Sequence, residues 1–157
     1  MAVATHEQPR TLRELRVRAT ELGVRDQIAN VERKHELLLR EPARDLEQAL
    51  AAYRSWVADA WEAFATAYVR RLKAEHESGA NVMVAISREE RRPLVEVAVL
   101  DERRALQHYQ ETVADARVEL DAAWKLWGED QDAVEGETLR DVEALITRHE
   151  GLRGGER

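Results

Sequence analysis

Between Leu46 and Ala67 apolar side chains return at alternating steps of four and three: Leu46, Leu50, Tyr53, Val57, Ala60, Phe64 and Ala67. That rhythm is a heptad seam, the mark of a helix laid along another helix. A helix over Leu46–Glu77 is about 48 Å long at roughly 1.5 Å per residue. Trp61, Tyr68 and Leu72 widen its stripe past a bare seam, which suits a helix with more than one neighbour. Pro42 stands ahead of it, and Gly79 is a stop signal. A second seam runs through Leu106, Tyr109, Val113, Ala116, Leu120, Ala123 and Trp127, with Asp101 as cap and Gly128 as end. Two such seams joined by a short connection predict an antiparallel helical hairpin. That pairing draws Trp56, Trp61, Trp124 and Trp127 toward the open end as a cluster of core rings.

The connection, NVMVAISREERRPLVEVAVL from Asn81 to Leu100, changes period. Val82, Val84 and Ile86 alternate with Met83 and Ala85. Val95, Val97 and Val99 alternate with Leu94, Glu96, Ala98 and Leu100. Period two with β-branched residues predicts strands, and Pro93 precedes the second run, where a strand tolerates it. The expected element is a small β-hairpin at the tip, turning through SREERRP. A competing reading takes Ser87 and Glu90 as a capping box and starts the helix at Arg88, which puts Pro93 inside it at a cost of about 3 kcal/mol. A lone pair of strands is marginal in water, and these are apolar on both faces except at Glu96. Val82, Val84, Ile86, Val95, Val97 and Val99 are therefore the candidate partner-docking residues, flanked by gatekeeping charges.

Shorter helical patterns flank the hairpin. Leu12, Leu15, Ala19 and Leu22 predict one amphipathic helix ended by Gly23, and Ile28, Val31, His35 and Leu38 predict another. Leu139, Val142, Leu145, Ile146 and His149 predict a C-terminal helix that folds back on the stalk or binds a neighbouring chain. GEDQDAVEGE before it reads as an acidic linker. The organisation is thus a small helical segment at 1–41, a hairpin at 42–128 with its tip at 79–100, a helix at 129–150 and a flexible tail at 151–157. The fold class is all-α in the main: an elongated antiparallel helical hairpin or coiled coil, a small β-hairpin at its tip and short flanking helices.

Composition narrows the function. The 157 residues include no cysteine, which excludes disulfides, thiolate catalysis and zinc–thiolate sites. No apolar run approaches the roughly 20 residues of a membrane span, and the N-terminus lacks the apolar region of a secretory signal. Net charge is −7. Residues 1–42 hold eight basic and seven acidic side chains, a balance of +1, while residues 128–157 hold four and nine, a balance of −5. Whole-molecule attraction to nucleic acid is disfavoured, and only the N-terminal arm is poised to touch a polyanion.

ATELGV followed by RKHELL in that arm resembles the small helix-extension-helix modules at the start of transcription terminator Rho and its relatives. Here the basic dipeptide stands about two residues further from the glycine. A-x-x-L-G-V is also similar to the first helix and turn of a helix-turn-helix, although the next apolar position falls at Ile28 rather than Ala29. Either likeness implies Arg25, Arg33 and Lys34 as phosphate-contacting candidates.

Glu32 and His35 form one E-x-x-H pair; a di-iron bundle needs two, so this pair reads as a surface hydrogen bond. No nucleophile motif, phosphate loop or dinucleotide fingerprint occurs. The expectation is a non-enzymatic structural or assembly protein with no cofactor and no metal, a subunit of a homo- or hetero-oligomer, cytoplasmic or virion-associated as in a phage neck or capsid. Two alternatives are a nucleic-acid-associated module reading through residues 11–41, and a holdase that resembles prefoldin in its helical stalks and β-hairpins.

Overall fold

The computed structural model describes residues 10–80 and 88–154, and every regular element among them is a helix. Four follow one another: α1 Leu12–Leu22, α2 Arg25–Leu38, α3 Arg40–Ala80 and α4 Arg88–Gly154. The chain is all-α. It divides into two compact units, Met1–Arg44 with Lys125–Arg157, and Asp45–Trp124.

The first unit shows how local chemistry sets helix ends. Thr11 caps α1, its Oγ1 accepting from the Glu14 N–H at 3.3 Å while the Glu14 carboxylate accepts from the Thr11 N–H at 2.7 Å. This capping box satisfies two backbone donors that a helix start leaves unpaired. The Thr11 N–H is also the chief cause holding the Glu14 carboxyl below the ordinary range. At the other end Gly23 takes a left-handed φ of 75°, and the N–H groups of Gly23 and Val24 return to Thr20 O and Ala19 O. That is a Schellman turn, and it needs a residue without a Cβ clash. Only Leu39 separates α2 from α3. Pro42 falls in the first turn of α3, where a missing N–H costs nothing.

Leu15, Ala19 and Leu22 of α1, Val24 and Ile28 beside them, and Val142 and Ile146 of α4 form one buried core. The C-terminal stretch therefore packs on the N-terminal pair through Val142 and Ile146. Ion pairs border this core. Arg18 Nε lies 2.7 Å from the Glu150 carboxylate and Arg10 lies 3.6 Å from it. Arg18, first among the causes, holds the Glu150 carboxyl below its usual range. Arg153 donates to the Leu22 carbonyl at 3.2 Å.

Two expected breaks are absent. The segment read as an acidic linker, 128–137, is continuous helix within α4. The reason lies in spacing: Val134, Thr138, Val142 and Ile146 repeat every four residues, and Thr138, Val142 and Ile146 are buried. Buried Thr138 is satisfied by donating to the Val134 carbonyl at 2.8 Å. The expected second strand is also helix. Among the described residues there is no strand, and Val95, Val97 and Val99 lie in α4, which begins at Arg88. Val82, Val84 and Ile86 lie outside the described residues. The alternating run is short, and Val95 and Val99 also continue the four-and-three spacing of the seam that follows; both are half-buried, while Val97 is 56% exposed. Pro93 is only the sixth residue of α4, just past the four whose N–H groups have no helical acceptor, so it removes a single bond near the end.

Gly128 and Gly136 sit inside α4, and a Cβ at either meets no atom within 4 Å. We expect Gly128→Ala and Gly136→Ala each to raise stability by about 0.5–1 kcal/mol, through lower unfolded-state entropy. Gly23→Ala should lower it by about 1 kcal/mol because of its left-handed backbone. Urea denaturation of the three variants checks the contrast in sign.

Candidate docking face

In the second unit α3 and α4 touch at Trp61 with Tyr109, at Phe64 with Tyr109 and at Arg71 with Glu102. The partner number falls as the α3 number rises, so the two segments pass in opposite senses. The Trp61 and Tyr109 rings meet edge to face with centroids 5.6 Å apart, and Phe64 stacks on Tyr109 at 6.3 Å. Arg71 lies over the Tyr68 ring at 5.1 Å and pairs with both Glu75 and Glu102. Those partners, Glu75 first, raise its pKa above the ordinary value.

The fully inward positions of this unit are small. Apart from Leu46, its buried hydrophobic residues are Ala60, Ala67 and Ala116. The large side chains stand beside the seam. Trp61 is 53% exposed, and Tyr68, Leu72, Leu106 and Trp124 are also exposed. Leu106 was expected on the seam itself; Ala105, half-buried, takes that inward place.

On α3 the exposed row follows one residue after inward positions: Trp61 after Ala60, Tyr68 after Ala67, Leu72 after Arg71. On α4, Leu106 follows Ala105 and Trp124 follows Ala123 in the same way. A step of about 100° per residue carries both rows off the seam in the same rotational sense. Because the helices run in opposite senses, both rows fall on the same side of the pair. The result is one apolar face, continued by half-buried Leu50, Val57, Val99, Val113 and Leu120 at heptad spacing. The other flank carries Asp59, Asp101, Asp115 and Glu119.

The expected tryptophan cluster is not formed by rings in contact. The second unit's ring contacts join Trp61, Phe64, Tyr68 and Tyr109. Trp56 lies on the other margin of the seam, and Trp127 belongs to the first unit. Of the expected docking residues, Val95, Val97 and Val99 do not supply a strand edge, so β-pairing through them falls away.

The remaining candidates lie in the first unit. Arg25, Arg33 and Lys34 are exposed on α2. The cleft between α1, α2 and α4 nearby is lined by one cation, Arg16, and four carboxylates, Glu32, Glu36, Asp132 and Glu135. That lining repels a phosphate backbone. The E-x-x-H pair is not a unit: Glu32 binds Arg16 at 2.7 Å, and His35 is buried with Nε2 at 2.8 Å from Asp141. His35 Nδ1 lies 4.0 Å from the Glu137 carboxylate and has no hydrogen-bond partner. Among the described residues no cluster of metal-ligating side chains occurs, and no helix is long and apolar enough to cross a membrane.

No protein-family model matches this chain, and comparison with characterised proteins and with solved structures gives no match.

The His35–Asp141 contact joins α2 to α4 across the first unit. A double-mutant cycle with His35→Ala and Asp141→Ala should give a coupling of about 1 kcal/mol, the scale of a part-buried charge-assisted bond. Strictly additive losses in urea unfolding would show that the contact is not made in solution.

Proposed function

We propose that this chain is a non-enzymatic assembly protein, a subunit of a larger complex that docks through the apolar face of Asp45–Trp124. The architecture we propose for that unit is an elongated antiparallel helical hairpin with coiled-coil-like packing. The observation that carries the reading is the inversion of residue size: alanines fill the inward seam while Trp61, Tyr68, Leu72, Leu106 and Trp124 lie outside. Large apolar and aromatic side chains are the ones folding normally buries. An exposed row of them, interrupted here by Arg54 and Arg117, supports reading this side as a surface that another molecule covers. Aromatic anchors are also the residues that dominate the energy of protein interfaces.

The tip strands, first expected to dock, have no part in this proposal. The prefoldin-like holdase also loses its support, since it needs paired strands and 95–99 is helix. A phage neck or capsid-associated subunit remains one setting in which such a module would serve. The nucleic-acid reading keeps one observation in its favour, the exposure of Arg25, Arg33 and Lys34 on α2.

Sedimentation and binding of an apolar dye by the full chain test the proposal, against a Trp61→Glu, Leu106→Glu variant and a His108→Glu control on the other flank. The expected result is an assembly, or a single chain that binds dye; the double variant loses either property and keeps its helical circular dichroism. A single chain that binds no dye and is unchanged by the double substitution would contradict docking through this face. Retention of duplex DNA at low salt, lost in Arg33→Glu, Lys34→Glu, would favour the nucleic-acid module instead.

A further inference from the structure

We infer that the occupant of this face is a second copy of this chain, two helix pairs closing face to face into a four-helix bundle. The inference rests on the docking reading above and adds the identity of the partner.

Area comes first. Trp61, Tyr68, Leu72, Leu106 and Trp124 each retain between 38% and 53% of their surface. With about 150–250 Å² per aromatic ring, these five leave on the order of 400 Å² bare on each chain. A standard interface buries about 800 Å² per partner. The anchors therefore supply about half of what a stable pair needs, and the half-buried row beside them extends the same surface.

Shape and charge favour self-pairing. The face repeats at heptad spacing on both of its helices, so a copy presents ridges of the same period to its grooves. A two-fold axis then makes one patch serve both sides. The face carries both signs: Glu47, Arg54 and Arg117 lie in the exposed row itself, each one residue after an inward position, with Asp121 and Arg103 beside it, all exposed. Two copies meeting there encounter no single-signed field. The opposite flank has an excess of carboxylates, Asp59, Asp101, Asp115 and Glu119 against Arg70 and Arg104, which disfavours self-association there. Closing a second layer also gives the inverted seam an interior: the rings beside the alanines become the centre of a bundle.

The chain has no cysteine, so a single introduced thiol reports one position. Gln110→Cys lies on the face between Leu106 and Val113, and Glu119→Cys lies on the other flank; both positions are exposed. The full chain carrying each is treated with a short bis-maleimide, and its mass is measured by sedimentation equilibrium. We expect chain-to-chain cross-links at Gln110→Cys, little at Glu119→Cys, and a mass of twice 18.0 kDa. Trp61→Glu should abolish the Gln110→Cys cross-link. A single chain without Gln110→Cys cross-links overturns self-pairing, and so does equal linking at both positions. If that single chain binds apolar dye through the face, or is found bound to a different protein there, self-pairing fails while the docking reading stands.

Discussion

A pair of helices has only one seam to bury, and here its most buried positions, apart from Leu46, are alanines, with Phe64 and Tyr109 half-buried beside them. Ala60, Ala67 and Ala116 fill buried positions with little apolar bulk. Trp61, Phe64, Tyr68 and Tyr109 touch one another across the pair, Phe64 and Tyr109 half-buried and Trp61 and Tyr68 exposed. Trp61, Tyr68, Leu72, Leu106 and Trp124 are left exposed beside this small core.

The two units solve burial differently. The first has three helical segments, enough to surround Leu15, Val142 and Ile146 completely. Its polar contacts finish the job: a capping box at Thr11, a left-handed turn at Gly23, and Arg18 with Arg10 against Glu150. The second has two segments and no third layer of its own among the described residues.

Much of this was legible in the sequence wherever a long period was at work. The long helices through Leu46–Ala67 and Leu106–Trp127, the short helix ended by Gly23 and the width contributed by Trp61, Tyr68 and Leu72 all follow from spacing. Short-range cues misled. The run from Val95 to Val99 satisfies a period of two, yet the same valines continue the helical seam, and the longer pattern decides. The glycines and acids of 128–137 suggest a linker by composition, but Val134 and Thr138 keep the four-residue repeat of the buried face. The Thr11–Glu14 capping box was readable as a T-x-x-E pattern and was overlooked beside the stronger Gly23 signal. His35 could not be placed from sequence, since its partner Asp141 lies 106 positions away. The exposed apolar row was half visible: the breadth of the α3 stripe was readable from spacing, while its continuation by Leu106 and Trp124 required the relative sense of the two helices.

Three tryptophans offer a direct reading of whether that face is covered. In the single chain Trp56, Trp61 and Trp124 are 43%, 53% and 48% exposed, so a free molecule presents them almost equally to solvent. Only Trp61 and Trp124 lie on the apolar face; Trp56 is on the other margin. Hydroxyl-radical footprinting of the purified full chain compares them within one sample. The account predicts that Trp61 and Trp124 are oxidised several-fold more slowly than Trp56. Comparable rates at all three would contradict it.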